Sequence, residues 1–208
     1  MQVTIFGAAG KVGQRVVTKL LADNHQLVVF VHRHNPYANT PNVTVISGSI
    51  DNYQAVATAI QGSQAVISTL GSWGSPAKNI VSTGTETIVQ AMTEQGVQRL
   101  ITVSGAGAFY SQDHPTTIDR LTHRLLQLVA PKILTDGEQH LAVLEASTLD
   151  WTCIRSPVMT KRHSNDYELR QALPSLLAYV PREAVAQCLV DQLQDSTYFK
   201  KAPVIYHV

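Results

Sequence analysis

The sequence predicts an α/β fold, a doubly wound and mostly parallel sheet with helices on both faces. Three observations predict it. Short β-branched runs alternate along the chain with longer segments of helical period. The first run leads directly into a glycine-rich turn and then into a helix. The size, 208 residues with 44% apolar and 15% charged side chains, suits one globular unit that buries roughly 70% of its unfolded surface.

Taken in order, the strand candidates are residues 2–6, 27–31, 43–47, 65–70, 100–103, 151–155 and 204–207, each a short run rich in Val, Ile, Leu or Thr. The helical candidates between them are residues 12–22, 53–60, 80–94, 118–129, 137–146 and 182–193. In the first helix Val12, Val16, Val17, Leu20 and Leu21 fall on one apolar face; in the segment 80–94, Ile80, Gly84, Ile88 and Met92 do so. The stretch from residue 160 to 179 is the least regular. It opens with Lys161, Arg162, His163, Ser164, Asn165 and Asp166 and is interrupted by Pro174, with Pro181 just beyond it. Loops that follow strand C-termini build the ligand sites of such sheets, so residues 104–117 and 156–180 are expected on the substrate side. No repeat, linker or charge block divides the chain, and residues 1–208 are expected to form a single domain.

The totals exclude several classes. A formal charge of +1 gives no electrostatic case for nucleic acid or an anionic membrane. The apolar runs are far short of the roughly 20 residues of a membrane helix. The first strand begins at Gln2 with no signal peptide ahead of it. Cys153 and Cys188 offer neither a disulfide framework nor metal spacing, so free thiols in a reducing cytoplasm are expected, and no metal site.

The strongest motif is Gly7-Ala8-Ala9-Gly10-Lys11-Val12-Gly13, between the first strand and the first helix. Gly7 permits the tight turn, Gly10 leaves room for an approaching pyrophosphate, and Gly13 lets helix and strand pack closely. Free N–H groups at the helix start then hold the phosphate charge. This is the phosphate loop of a Rossmann-type domain. After the second strand an acid would bond the ribose of NAD, whereas a cation accepts the extra phosphate of NADP. Here stand His32, Arg33 and His34, with Lys11 as a second cation inside the loop. NADP(H) is therefore expected over NAD, with Arg33 as the main ligand, or His32 if the strand ends one residue differently.

Beyond the glycine loop, whose GxxGxxG spacing is that of short-chain dehydrogenases, the chain carries FVHR, SGSIDNYQAVATAIQGSQAVISTLG, NIVSTGTETIVQAMTEQGVQRLITVSGAGAF, LDWTCIRSP and YVPREAVAQCLVDQL in that order. This succession resembles the atypical short-chain dehydrogenases, more narrowly the NAD(P)-binding group that includes biliverdin reductase B (flavin reductase) and the NmrA-like proteins. The resemblance covers nearly the whole chain. It implies that Gly7, Ala8, Ala9, Gly10, Lys11, Val12 and Gly13 bind the pyrophosphate. It places Leu70, Gly71 and Ser72 along the riboses, Ser104 near the nicotinamide, and Pro157 and Val158 at its carboxamide. Relatives often carry Gly-Asp after the third strand; here Gly48-Ser49 stands, so Ser49 and Ile50 would give the adenine a weaker hydroxyl or backbone contact.

In short-chain dehydrogenases that act on carbonyls, a serine is followed by a tyrosine and, four residues on, a lysine that lowers the tyrosine pKa. The segment VSGAGAFYSQDHP holds Ser104 and Tyr110, but His114 stands four residues beyond and no lysine follows until Lys132. The usual tyrosine interval after Ser104 falls on Thr116, Thr117 and Ile118. The pair is absent, which disfavours an epimerase or carbonyl reductase. Ser104, Tyr110 and His114 remain the candidate catalytic groups. Hydride transfer to a flavin, quinone or biliverdin-like ring needs chiefly geometry, because the product anion is delocalised. Trp73, Phe109 and Tyr110 are the candidate ring contacts. Flavin is then a substrate rather than a bound cofactor, and the partner is a small planar acceptor. His123, His140 and His163 read as surface or satisfied core histidines. The alternative is a non-catalytic NAD(P)-binding redox sensor of the NmrA-like type. No extra dimerisation segment is recognisable, which is compatible with a monomer.

Overall fold

The computed structural model describes residues 1–73, 75, 77–175 and 177–208. Its first half alternates strands and helices except where β2 runs on to β3 with no helix between: β1 (Gln2–Phe6), α1 (Gly13–Ala22), β2 (Gln26–Val31), β3 (Val43–Ser47), α2 (Tyr53–Ile60), β4 (Ala65–Ser68) and α3 (Ile80–Gln95). The second half runs β5 (Arg99–Gly105), α4 (Thr117–Val129), α5 (Pro131–Ala146), β6 (Asp150–Ser156), β7 (Val158–Thr160), β8 (Glu168–Arg170), β9 (Tyr179–Pro181), α6 (Arg182–Asp191) and β10 (Val204–Tyr206). Eight strands form one sheet in the order β3-β2-β1-β4-β5-β6-β10-β8, and only β8 is antiparallel to its neighbour. The expected doubly wound α/β fold is what the chain adopts.

Burial on both faces explains the nearly continuous apolar strands. Along β1 and β2, Val3, Ile5, Leu27, Val29 and Val31 pack with Val16, Val17 and Leu20 of α1 and Val185 and Leu189 of α6. Phe6, Val28 and Phe30 turn the other way, into a second core with Val56, Ile60, Ile88, Met92, Leu141, Leu144 and Trp151 from α2, α3, α5 and β6. One polar network ties the second layer together. Asp136 of α5 is buried, and its carboxylate accepts hydrogen bonds from Val81 N (3.2 Å), Ser82 N (2.8 Å) and Ser82 Oγ (2.7 Å), and from the Ser72 hydroxyl. It thereby caps the start of α3, which its own Asn79 does not.

The segment 160–179 is less irregular than its composition suggests. It holds β8 on the main sheet and leads into β9, which pairs in parallel with β7 as a separate two-stranded ribbon. Strands of three residues are too short to display an alternation, so their periodicity is invisible in sequence. Likewise α5 starts at Pro131 rather than at residue 137, with the proline at its first turn where a missing N–H costs nothing. α4 is the one helix with no buried residue among those described; Ile118, Leu121, Leu125, Leu128 and Val129 lie exposed along it. No described helix is long and apolar enough to cross a membrane, and the described residues hold no cluster of His, Cys, Asp and Glu able to bind a metal. Cys153 and Cys188 are buried free thiols, and burial raises the pKa of both, that of Cys153 to about 11.

Candidate functional site

The sheet reverses its winding between β1 and β4, and the crevice above that switch point begins with the glycine loop. Gly7 adopts φ +74°, and a Cβ there would lie 2.8 Å from the Thr69 backbone. Thr69 seals the junction: its N–H donates to Phe6 O at 2.9 Å, and its hydroxyl lies 3.1 Å from both Phe6 O and Gly7 O. At Gly13 a Cβ would stand 2.2 Å from Gly7 O, so the first helical turn can rest on the loop only without a side chain.

The loop carbonyls are already occupied. Ala8 O accepts from the Tyr37 hydroxyl (2.6 Å), Ala9 O from Gln14 Nε2 (2.9 Å) and Lys11 O from Arg15 Nη1 (2.6 Å). Burial under the loop pushes the Tyr37 hydroxyl up to about 12, so it stays a donor at any ordinary pH. The Lys11 and Val12 N–H groups have no partner among the described residues, and no side chain caps α1. Acceptors held from behind and donors left free make an anion cradle.

β2 ends at Val31, so His32 and Arg33 follow it directly. His32 Nδ1 lies 3.2 Å from Gly48 O, which draws its ring toward the turn after β3. Arg33 and Lys11 are exposed and make no ion pair among the described residues. Next to this turn Ser49 is half-buried with its hydroxyl toward Asp51 (3.4 Å), and Ile50 is buried in the second core.

Past the glycine loop a cavity of about 600 Å³ opens above the C-terminal ends of β4, β5 and β6. Leu70, Gly71, Ser72 and Trp73 form one side, and Ser104 to Phe109 the floor. Pro157, Val158 and Met159 lie opposite, with residues 173–175, Ala178 and Arg182 beyond them. The structure thus brings Leu70, Gly71, Ser72, Trp73, Ser104, Phe109, Pro157 and Val158 together around one space. Ser104 is buried at the end of β5, and its hydroxyl has no protein partner among the described residues. The Ser72 hydroxyl is instead committed to Asp136 and serves to fix the loop after β4.

Two candidates lie elsewhere. Tyr110 is buried in the second core, edge-on to Trp151 with ring centroids 6.1 Å apart, and its hydroxyl donates to Lys200 O at 3.0 Å. Burial raises its pKa. His114 is exposed and outside the cavity lining. The cause is a buried ion pair. The guanidinium of fully buried Arg155 grips Asp113 through Nη1–Oδ2 (2.5 Å) and Nη2–Oδ1 (2.7 Å), while Asp113 Oδ2 also accepts from Tyr110 N at 2.8 Å. That clamp folds the end of the loop inward and leaves Phe109, one residue earlier, facing the cavity.

In place of Tyr110 and His114, α4 supplies Asp119, Thr122, His123 and Leu126 to the cavity, at helical spacing i, i+3, i+4, i+7. The His123 ring stacks on Phe109 with centroids 4.1 Å apart, and its Nε2 lies 2.6 Å from Glu138 Oε1 of α5. His140, by contrast, is fully buried with neither ring nitrogen bonded to any described residue; burial lowers its pKa to about 4 against the opposing pull of Asp136. It is a core histidine, but not a satisfied one.

Known proteins share this architecture. The chain is 29% identical over 122 residues to the 2-alkyl-3-oxoalkanoate reductase of Stenotrophomonas maltophilia (strain K279a), a match spanning 55% of this chain and 36% of that protein. The chain therefore spans little more than a third of that curated relative. Among solved structures, it is similar to a wide-type short-chain dehydrogenase/reductase from Veillonella parvula DSM 2008 in complex with NADP. That likeness has a TM-score of 0.81 and 25% identity, over 99% of this chain and 94% of the other. An anaerobillin reductase from Escherichia coli O157:H7 superposes with a TM-score of 0.82 over 100% and 97% of the two chains, and at 19% identity it speaks for the fold alone. These likenesses agree with the expected kinship to atypical short-chain dehydrogenases. A family model described as NAD(P)H-binding matches residues 7–196, from the glycine loop to just past α6, and the chain belongs to that family.

Proposed function

We propose that the protein is an NADPH-dependent reductase that passes hydride to a small planar acceptor, a flavin, a quinone or a biliverdin-like ring, without a Tyr-Lys pair. One observation carries the reading. The cavity beyond Ser104 is walled mostly by glycine and alanine backbone and apolar side chains, with Asp119, Thr122, His123 and Arg182 among its few polar groups, and its described lining contains neither tyrosine nor lysine. Bound NADPH supplies the hydride. The free N–H groups of the glycine loop hold its pyrophosphate, and Arg33 with Lys11 takes the 2′-phosphate. Ser49 and Ile50 border the adenine, Leu70 to Ser72 the riboses. The unpartnered Ser104 hydroxyl, with Pro157 and Val158, orients the ring at the end of β5. Phe109 and Trp73, the latter 78% exposed at the rim, offer flat faces to the acceptor. The chain's contribution is to hold two rings face to face.

The test is direct: purified protein is mixed with NADPH and FMN, menadione or biliverdin, and NADPH absorbance is followed. Acceptor-dependent oxidation is expected, faster with NADPH than with NADH. Tight NADPH binding with no oxidation by any acceptor would favour the second reading, a non-catalytic NAD(P)-binding regulator. The uncovered apolar face of α4 is the observation on its side.

A further inference from the structure

Resting on the reductase reading above, we propose that His123, held by Glu138, is the proton donor for the reduced acceptor. Hydride addition to a neutral quinone leaves a hydroquinone mono-anion, and a proton must reach its remaining oxygen. Of the three groups that sequence alone nominates, the Tyr110 hydroxyl is spent on Lys200 O and His114 lies outside the cavity, while Ser104 lines the cavity but carries only an aliphatic hydroxyl, too weak an acid to supply the proton by itself. His123 borders the cavity itself. Its Nε2 is fixed by the Glu138 carboxylate at 2.6 Å, and its ring plane is set by the Phe109 stack, so Nδ1 is the nitrogen left to meet a ligand. Nδ1 has no partner among the described residues. A carboxylate on one ring nitrogen fixes the tautomer of the neutral ring and orients the other nitrogen for transfer.

The step balances. Hydride from NADPH brings two electrons and one hydrogen to the quinone, and the Nδ1–H of the imidazolium gives its proton to the anionic oxygen. Neutral His123 keeps Nε2–H bonded to Glu138 and regains its proton from solvent at the open rim. The sum is NADPH, quinone and one proton giving NADP and hydroquinone. The other charged groups nearest in the lining are Asp119, one turn back on α4, and Arg182 at the start of α6. Asp119 is engaged with Thr116 in the capping box of α4 and does not compete as a donor.

Two acceptors separate this role from binding or packing. Menadione needs the added proton. Methylene blue is a planar cation that becomes neutral on taking hydride alone. In His123→Phe, which keeps a ring against Phe109, kcat with menadione is expected to fall about 100-fold, within the usual range for a general acid. Methylene blue reduction should stay within about threefold of the original protein, which also reports an intact fold. Glu138→Gln should give an intermediate loss with menadione only. Without NADPH, 2-naphthol should bind His123→Phe about fivefold more weakly by calorimetry, one hydrogen bond's worth. If His123→Phe reduces menadione as fast as the original protein, the proton role is overturned while the reductase reading stands. Equal loss with both acceptors would make His123 a positioning residue and overturn the proposal as stated. If the original protein reduces neither acceptor, the reductase reading falls and takes this inference with it.

Discussion

Replacing Asp136 by asparagine tests whether one buried carboxylate holds the second layer together. The side chain keeps its size, and Oδ1 can still accept from Ser82 N and Ser82 Oγ, now 2.8 and 2.7 Å away. The other oxygen becomes an NH2 facing the Val81 N–H, which sits 3.2 Å from Oδ2, and the Ser72 hydroxyl, which can turn from donor to acceptor. Two donors then confront each other in a site only 1% exposed. Losing one charge-assisted bond costs about 1.5–3 kcal/mol. Losing the negative charge at the start of α3 removes up to about 1 kcal/mol more. The sum, about 3 kcal/mol, corresponds to a Tm lower by roughly 6–12 °C for a chain of this size. Urea melts followed by circular dichroism give the number, with the slope m unchanged if the denatured state is unaltered. A loss below about 1 kcal/mol would refute the assignment of Asp136 as the cap of α3, since even one ordinary buried bond is worth that.

Other outcomes follow from the same geometry. Arg33→Ala should weaken NADPH binding roughly 10- to 100-fold, the loss of a charge-assisted phosphate contact, and leave NADH nearly unchanged in a fluorescence titration. Gly13→Ala, whose Cβ would lie 2.2 Å from Gly7 O, should abolish nucleotide binding or solubility, read by the same titration and by expression yield. His140 has a folded pKa lowered from 6.5 to about 4, so its neutral form is the folded one. The stability tied to it is complete above the unfolded value and drains away as pH falls from 6.5 toward 4, with a slope up to about 1.4 kcal/mol per pH unit. His140→Leu should flatten that slope in urea melts between pH 4 and 7, and should not destabilise at pH 7, because neither ring nitrogen has a described partner to lose.

Much of the fold is legible in the sequence because parallel strands buried on both faces spell themselves out. Val3 to Phe6 and Leu27 to Val31 have no polar face except Thr4, whose hydroxyl is taken by Ala59 O at 2.6 Å. The glycine loop is legible because the positive φ of Gly7 and the close contact of Gly13 with Gly7 O act within seven residues of chain. The far side of the site is less so, because it depends on contacts distant in sequence. Tyr110 turns into the core through Asp113 and Arg155, 42 residues apart, and nothing local to VSGAGAFYSQDHP announces that pull. His123 could not be distinguished from a surface or core histidine, since a helix lining a cavity has the same amphipathic period as one lining a core. The stretch Asp119, Thr122, His123, Leu126 carried the signal only faintly, as polar residues on the face that also holds a leucine.

Gly137 sets a limit on how this site can be rebuilt. It sits on α5 facing the end of β5, where an added Cβ would stand 3.0 Å from Ala108 Cβ and 3.2 Å from Ser104 Oγ. At this position helix and strand have closed the gap through which a side chain from α5 would enter the cavity beside Ser104. An engineer wishing to graft a tyrosine and lysine onto this helix, and so turn the protein toward simple carbonyls, would first have to move the helix away. α4, which has no buried residue among those described and rests on the second core through Leu126, is the more tolerant place to exchange acid–base groups.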